Sequence, residues 1–85
     1  MAEPNLLGEI SRIVQSIGRI DPAVSIESGS LLNDDLGLDS LAVVEIILKI
    51  EDTYGLIVDE DEATALRTVG DLARYVAQRQ GSAAA

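Results

Sequence analysis

The sequence predicts an all-α domain: a small bundle of three main helices plus one short helix. Three observations carry this. Apolar residues recur at helical spacing in three separate stretches, each bounded by a capping residue or a glycine. No stretch alternates with period two; "LIVD" at 56–59 is too short to argue for a sheet. The chain is 85 residues long, one domain's worth, and a chain of that size buries one modest core, roughly 60–65% of the surface its unfolded form exposes. That leaves no room for a deep cleft and a second lobe, which argues against a self-sufficient enzyme.

Residues 1–4 read as an N-terminal tail, 5–80 as the single domain and 81–85, Gly-Ser-Ala-Ala-Ala, as a disordered C-terminal tail. Leu6, Ile10, Ile13, Val14 and Ile17 fall at i, i+4, i+7, i+8 and i+11. That is one stripe of an amphipathic helix over about 5–17, with Gly18 as its stop. Residues 18–38 hold Gly18, Pro22, Gly29 and Gly37 with Ser, Asn and Asp between them, a long loop. Loops of this length tend to be functional or anchored. Val24, Ile26, Leu31, Leu32, Leu36 and Leu38 are the expected anchors. Helix two is expected over about 40–54, with Asp39 or Ser40 as N-cap and Gly55 at its end. A short acid-rich helix over about 59–64 would set its carboxylates at the positive end of the helix dipole. The last helix opens on Thr68-Val69-Gly70-Asp71, a capping box with Asp in place of Glu. Val69, Leu72, Ala73 and Val76 supply its inward stripe.

Composition narrows the chemistry. There is no Cys, hence no disulfide and no thiol nucleophile, and no His, hence no Ser-His pair and none of the commonest zinc ligand. The two aromatic residues are tyrosines, so the core must be aliphatic. The net charge is −9, and one segment carries all of it: ten acids and one base, Lys49, lie between Asp34 and Glu62. Nucleic acid and anionic membrane would be repelled; a basic protein surface is the natural complement. The acids lack the spacing of a calcium-binding loop, so no metal site is expected. Without an apolar run of membrane-spanning length or a secretion leader, the chain reads as cytoplasmic.

At about 100° per residue, Val43, Ile46, Ile47, Ile50 and Tyr54 cluster on one side of helix two and suffice to dock it. Ser40, Val44, Leu48 and Glu51 form a neighbouring line, with Leu41, Glu45 and Asp52 just beyond. An apolar centre with a charged rim has the anatomy of a small interface. The plainer alternative packs Leu41, Val44 and Leu48 under the long loop or the short helix. Ser40 likewise has two readings, a helix cap or, if Asp39 caps, an outward hydroxyl on the first turn. There, unpaired N–H groups and the dipole favour an anion such as phosphate.

The run Asp35-Leu36-Gly37-Leu38-Asp39-Ser40-Leu41 resembles the attachment motif of acyl carrier proteins, D-L-G-x-D-S-L. The likeness continues through "SLAVVEIILKIEDTYGLIVDEDEATALRTVGDLARYV" and covers roughly residues 5 to 79. It implies a four-helix, acyl-carrier-like bundle that does no chemistry of its own. A carrier-protein phosphopantetheinyl transferase would move 4'-phosphopantetheine from coenzyme A onto Ser40, with Asp39 in support. The arm's thiol would hold acyl groups as thioesters for an acyl-loading enzyme, a ketosynthase and other acyl-transfer enzymes with basic docking patches. By matching position, Leu41, Val44, Glu45, Leu48, Glu51 and Asp52 would dock them, with the carrier acting as a monomer. The resemblance also implies that acyl chains fold back between the helices. Ala42, Lys49 and Val58-Asp59 depart from the usual fatty-acid pattern, which leaves fatty-acid, polyketide and lipopeptide synthases all open as clients. Two rivals stand beside this reading. One is a carrier of amino or aryl acids, of the peptidyl or D-alanyl type, the peptidyl form being disfavoured by Leu38. The other is an unmodified acidic helical adaptor in which Ser40 only caps.

Overall fold

The computed structural model of the protein describes residues 5–84. It is all-α among those residues: α1 spans Leu6–Gly18, α2 Ser40–Tyr54, α3 Glu60–Ala63 and α4 Val69–Ala84. None of these helices is long and apolar enough to cross a membrane. The tail expected at 1–4 lies outside the described residues. At the other end α4 runs on to Ala84, into the stretch from 81 expected to be a tail. A helix already formed through Gln78, Arg79 and Gln80, good helix formers, propagates past a single glycine at modest cost.

Local chemistry sets the helix ends. Asn5 opens α1, its side chain accepting from the Gly8 N–H at 3.0 Å. Gly18 does not stop the helix as expected. It stays helical, and Arg19 takes the left-handed cap conformation, φ 53°, donating to the Gln15 and Ser16 carbonyls. Gly18 is needed for space instead: a β-carbon there would stand 2.5 Å from Leu38 Cδ2. Its absence lets the loop close down on α1. Gly55, at φ 66°, caps α2. The Thr68 capping box forms in both directions, with Asp71 N–H donating to Thr68 Oγ1 at 3.0 Å and Thr68 N–H to Asp71 Oδ2 at 3.1 Å. These bonds to main-chain N–H groups, that of Arg67 first, hold the Asp71 carboxyl below its usual range.

Ile10 and Val14 of α1, Ile46 and Ile50 of α2, and Val69, Leu72 and Val76 of α4 meet in one aliphatic core, closed by Leu32 and Leu38 from the long loop. α1 packs against both α2 and α4. The loop is tied to the start of α4 by backbone bonds from Leu32 N–H to the Arg67 carbonyl (2.9 Å) and from Gly70 N–H to the Ser28 carbonyl (2.8 Å). An isolated bridge joins Leu31 and Thr68. Of the six expected loop anchors, Leu32 and Leu38 are buried and Ile26 and Leu36 pack against the core, whereas Val24 and Leu31 are exposed. Ile47, expected on the inward face, is only half-buried and stands outside this core. It is the member of its stripe nearest to the Ser40–Val44–Glu51 line, so it faces the gap between α2 and α3.

Polar contacts between helices sit at the rim. Tyr54 donates to Glu9 Oε1 across α1 and α2 at 2.7 Å. Tyr75 and Arg79 of α4 both donate to Glu62 of α3 at 2.6 Å, and the guanidinium lies 4.8 Å from the Tyr75 ring centre. The Tyr75 hydrogen bond, followed by the Arg79 charge, outweighs desolvation and keeps the Glu62 carboxyl below its usual range. Burial, then the neighbouring carboxylate, pushes both tyrosines up to about 12. Their folded pKa exceeds the unfolded value near 10. Their contribution is therefore complete below about pH 10 and lost as pH climbs through about 12. Thermal melts should fall over that window, and by less in a Tyr54→Phe, Tyr75→Phe double variant; an identical fall in the variant would contradict this.

Candidate functional site

The approach to α2 is built residue by residue. The Asp35 carboxylate is turned back to accept from the Leu31 N–H at 2.8 Å, which folds the loop on itself. Gly37 adopts φ 68°, a left-handed conformation costly for any side chain. Asn33 Nδ2 donates to the Leu38 carbonyl at 3.1 Å, and Leu38 is buried. These contacts fix Asp39 in extended backbone at the head of α2, where its Oδ1 accepts from the Ala42 N–H at 2.8 Å. Asp39 is thus the cap. The neighbouring Ser40 is exposed, and its hydroxyl has no hydrogen-bond partner among the described residues. The Ser40 and Leu41 N–H groups, in the first turn, have no backbone acceptor among the described residues.

Beyond it, Leu41 is 66% exposed, Val44 50% and Leu48 56%. Neither the loop nor α3 covers them, so the plainer packing alternative does not hold. Glu45 and Asp52 are exposed beside them, as is Lys49. Glu51 differs: it is half-buried, and its Oε2 accepts from the Val58 N–H at 2.8 Å, holding the chain that leads into α3.

α3 is bound to α4 through Glu62 and stands off from α2, which leaves open grooves. One of about 230 Å³ touches Ser40, Val43, Ile47 and Thr64. A second, of about 250 Å³, follows Val44, Ile47, Leu48, Val58 and Ala63. A third, of about 430 Å³, reaches Asn33, Asp34, Leu66 and Arg67. Sequence reasoning brought together Ser40, the exposed strip and its acids, but it missed Asn33, Thr64 and Arg67. No helical period reaches loop residues; Ile47, at the edge of its stripe, was the one signal available.

A family model described as the phosphopantetheine attachment site matches residues 9–76, from within α1 to the middle of α4. This is the class the fold and the site define: a carrier of covalent 4'-phosphopantetheine. An acyl carrier protein of Rhodococcus erythropolis is 34% identical over 82 residues, covering 96% of this chain and 89% of its own. The meromycolate extension acyl carrier protein of Mycobacterium leprae is 33% identical over 89% of this chain and 65% of its own. A solved structure from Mycobacterium tuberculosis, assigned as an acyl carrier protein, superposes with TM-score 0.75 at 32% identity, over 85% of this chain and 95% of that one. The chain belongs to the acyl carrier protein family.

Proposed function

We propose that Ser40 is the residue that bears the arm, and that this chain passes acyl groups among acyl-transfer enzymes by docking the outer face of α2 on them. The observation that carries this is the Ser40 hydroxyl itself, exposed on the first turn with no partner among the described residues while Asp39 does the capping. Free N–H groups beside it suit a phosphodiester. In the modification, Ser40 Oγ forms the new bond to phosphorus, the adenosine bisphosphate of coenzyme A leaves, and the serine proton passes to a base of the transferase. When bound, the arm supplies the thiol on which acyl groups ride as thioesters. Treatment with a broad-specificity transferase and coenzyme A should add one arm per chain by intact mass. An unchanged mass favours the unmodified adaptor.

Leu41, Val44 and Leu48 form the apolar centre of the docking face, and Glu45, Asp52 and the free part of Glu51 its charged rim. Such a contact is small, weak and salt-sensitive, which suits partners that must be exchanged quickly. The partners in this reading are the transferase, an acyl-loading enzyme, a ketosynthase and similar enzymes with basic patches. The carrier works in the cytoplasm as a monomer, which leaves the strip free, and performs no catalysis. Glu45→Lys should slow association with the transferase by up to about 10-fold at low salt. The deficit should shrink as ionic strength rises toward 1 M, where the screening length falls to about 3 Å. An unchanged rate at low salt would place docking elsewhere.

A further inference from the structure

The acidic segment holds one local exception, and it lies on the exposed side of α2. Of the four charged residues of that helix, Glu45, Lys49 and Asp52 are exposed and Glu51 is half-buried. Lys49 stands four residues after Glu45 and three before Asp52, so it neighbours both on the helix surface. Glu45 followed by Lys49 is the spacing and the order that favour an ion pair within one helix. Yet Lys49 forms no ion pair among the described residues, whereas Arg74 and Arg79 are paired with Asp71 and Glu62. Its ammonium is held by no carboxylate and reaches solvent beside Leu48.

The nearby acids are differently placed. Glu51 has one oxygen committed to the Val58 N–H, and Asp39 has one on the Ala42 N–H. Along the middle of α2 a docked partner therefore meets alternating charges: minus at Glu45, plus at Lys49, minus at Asp52. This holds although residues 34–62 carry the whole net charge of −9. The two facts act at different ranges. Beyond the screening length, about 8 Å at physiological ionic strength, a partner senses the summed charge, which draws in any basic surface. In contact it meets the charges one by one. A patch made only of lysine and arginine sets a cation against Lys49 as it closes on Leu48, and like charges brought together across an interface are costly. A patch with one carboxylate among its bases pairs with all three. Accepting one and rejecting the other is how an interface separates partners that are otherwise alike.

We propose that Lys49 determines specificity on this face: it selects acyl-transfer enzymes whose basic patch holds a carboxylate opposite it and turns away those whose patch is uniformly basic. This rests on the reading of Ser40 as the attachment residue and of α2 as the docking helix. The test uses the chain carrying its arm, confirmed by intact mass. The probe is an acyl transferase of known structure that charges carrier thiols and whose docking patch holds lysine and arginine but no carboxylate. At an ionic strength of about 0.15 M, Lys49→Glu should raise its kcat/KM by about 10-fold, and Lys49→Gln by less. Arg12→Glu, at an exposed position of α1, lowers the net charge by as much as Lys49→Glu does. It acts through long-range attraction alone and should change the rate by less than about 2-fold. Replacing each base of the probe's patch in turn by glutamate should yield a transferase variant that prefers the wild-type chain to Lys49→Glu. Lys49 and Arg12 are exposed, so these chains should melt with wild type. An unchanged rate for Lys49→Glu, an equal gain for Arg12→Glu, or no reversal of preference among the transferase variants would overturn the proposal. A Glu45→Lys chain charged as fast as wild type would overturn the docking reading first, and no mass gain from the arm the Ser40 reading; the proposal falls with either.

Discussion

Ser40→Ala should end loading altogether while leaving the domain within about 0.5 kcal/mol of wild-type stability. The two halves of that result come from one geometric fact. Asp39, not Ser40, accepts the Ala42 N–H at the head of α2, so truncating Ser40 removes no cap bond. Ser40 is exposed and its hydroxyl has no partner among the described residues, so no buried group is left unsatisfied. Asp39→Ala provides the contrast. It should cost about 1 kcal/mol through the lost cap and leave the hydroxyl in place. Urea midpoints together with intact mass separate the two roles; a Ser40→Ala chain that still gains the arm would be fatal to the assignment.

Ile46→Ala should produce the largest loss of stability, about 2–5 kcal/mol. Ile46 is fully buried where α2 meets the core, and Ile50 beside it is 2% exposed and should behave alike. Small domains have only about 5–15 kcal/mol in total, and this one, with a single aliphatic core, belongs at the lower end. Either substitution can therefore leave a substantial unfolded fraction at ambient temperature. Leu48→Ala, two residues on, removes an equally apolar side chain that is 56% exposed. It should cost well under about 1 kcal/mol and instead impair docking. Equal urea midpoints for Ile46→Ala and Leu48→Ala would mean that α2 is turned the other way.

The inward faces were legible in the sequence because helical periodicity reports them directly. Ile10 and Val14, Ile46 and Ile50, and Leu72 and Val76 all lie in the core. The caps were legible where side-chain chemistry allows one solution, as in Thr68 and Asp71, and undecided where two neighbours compete, as with Asp39 and Ser40. The end of α1 was misread because Gly18 is required by the approach of Leu38, a contact between residues far apart in sequence. Val24 and Leu31 were misplaced for a related reason: a loop has no period, so which of its apolar residues turn inward depends on what it lies against. The strip of Leu41, Val44 and Leu48 was visible as a surplus beyond what docking α2 requires. Its exposure depends on α3 being held toward α4 by Glu62, Tyr75 and Arg79, and nothing local encodes that. The groove at Asn33 and Arg67 has the same origin, being assembled from the loop and from the chain before α4.

The most direct test of the central claim is to locate the modification on the chain. Tryptic cleavage after Arg19 and Lys49 releases one peptide, residues 20–49, that holds four serines: Ser25, Ser28, Ser30 and Ser40. After treatment with transferase and coenzyme A, fragment-ion mass spectrometry of that peptide should place the arm on Ser40 alone. An arm found on Ser25, Ser28 or Ser30, or anywhere outside this peptide, would contradict it.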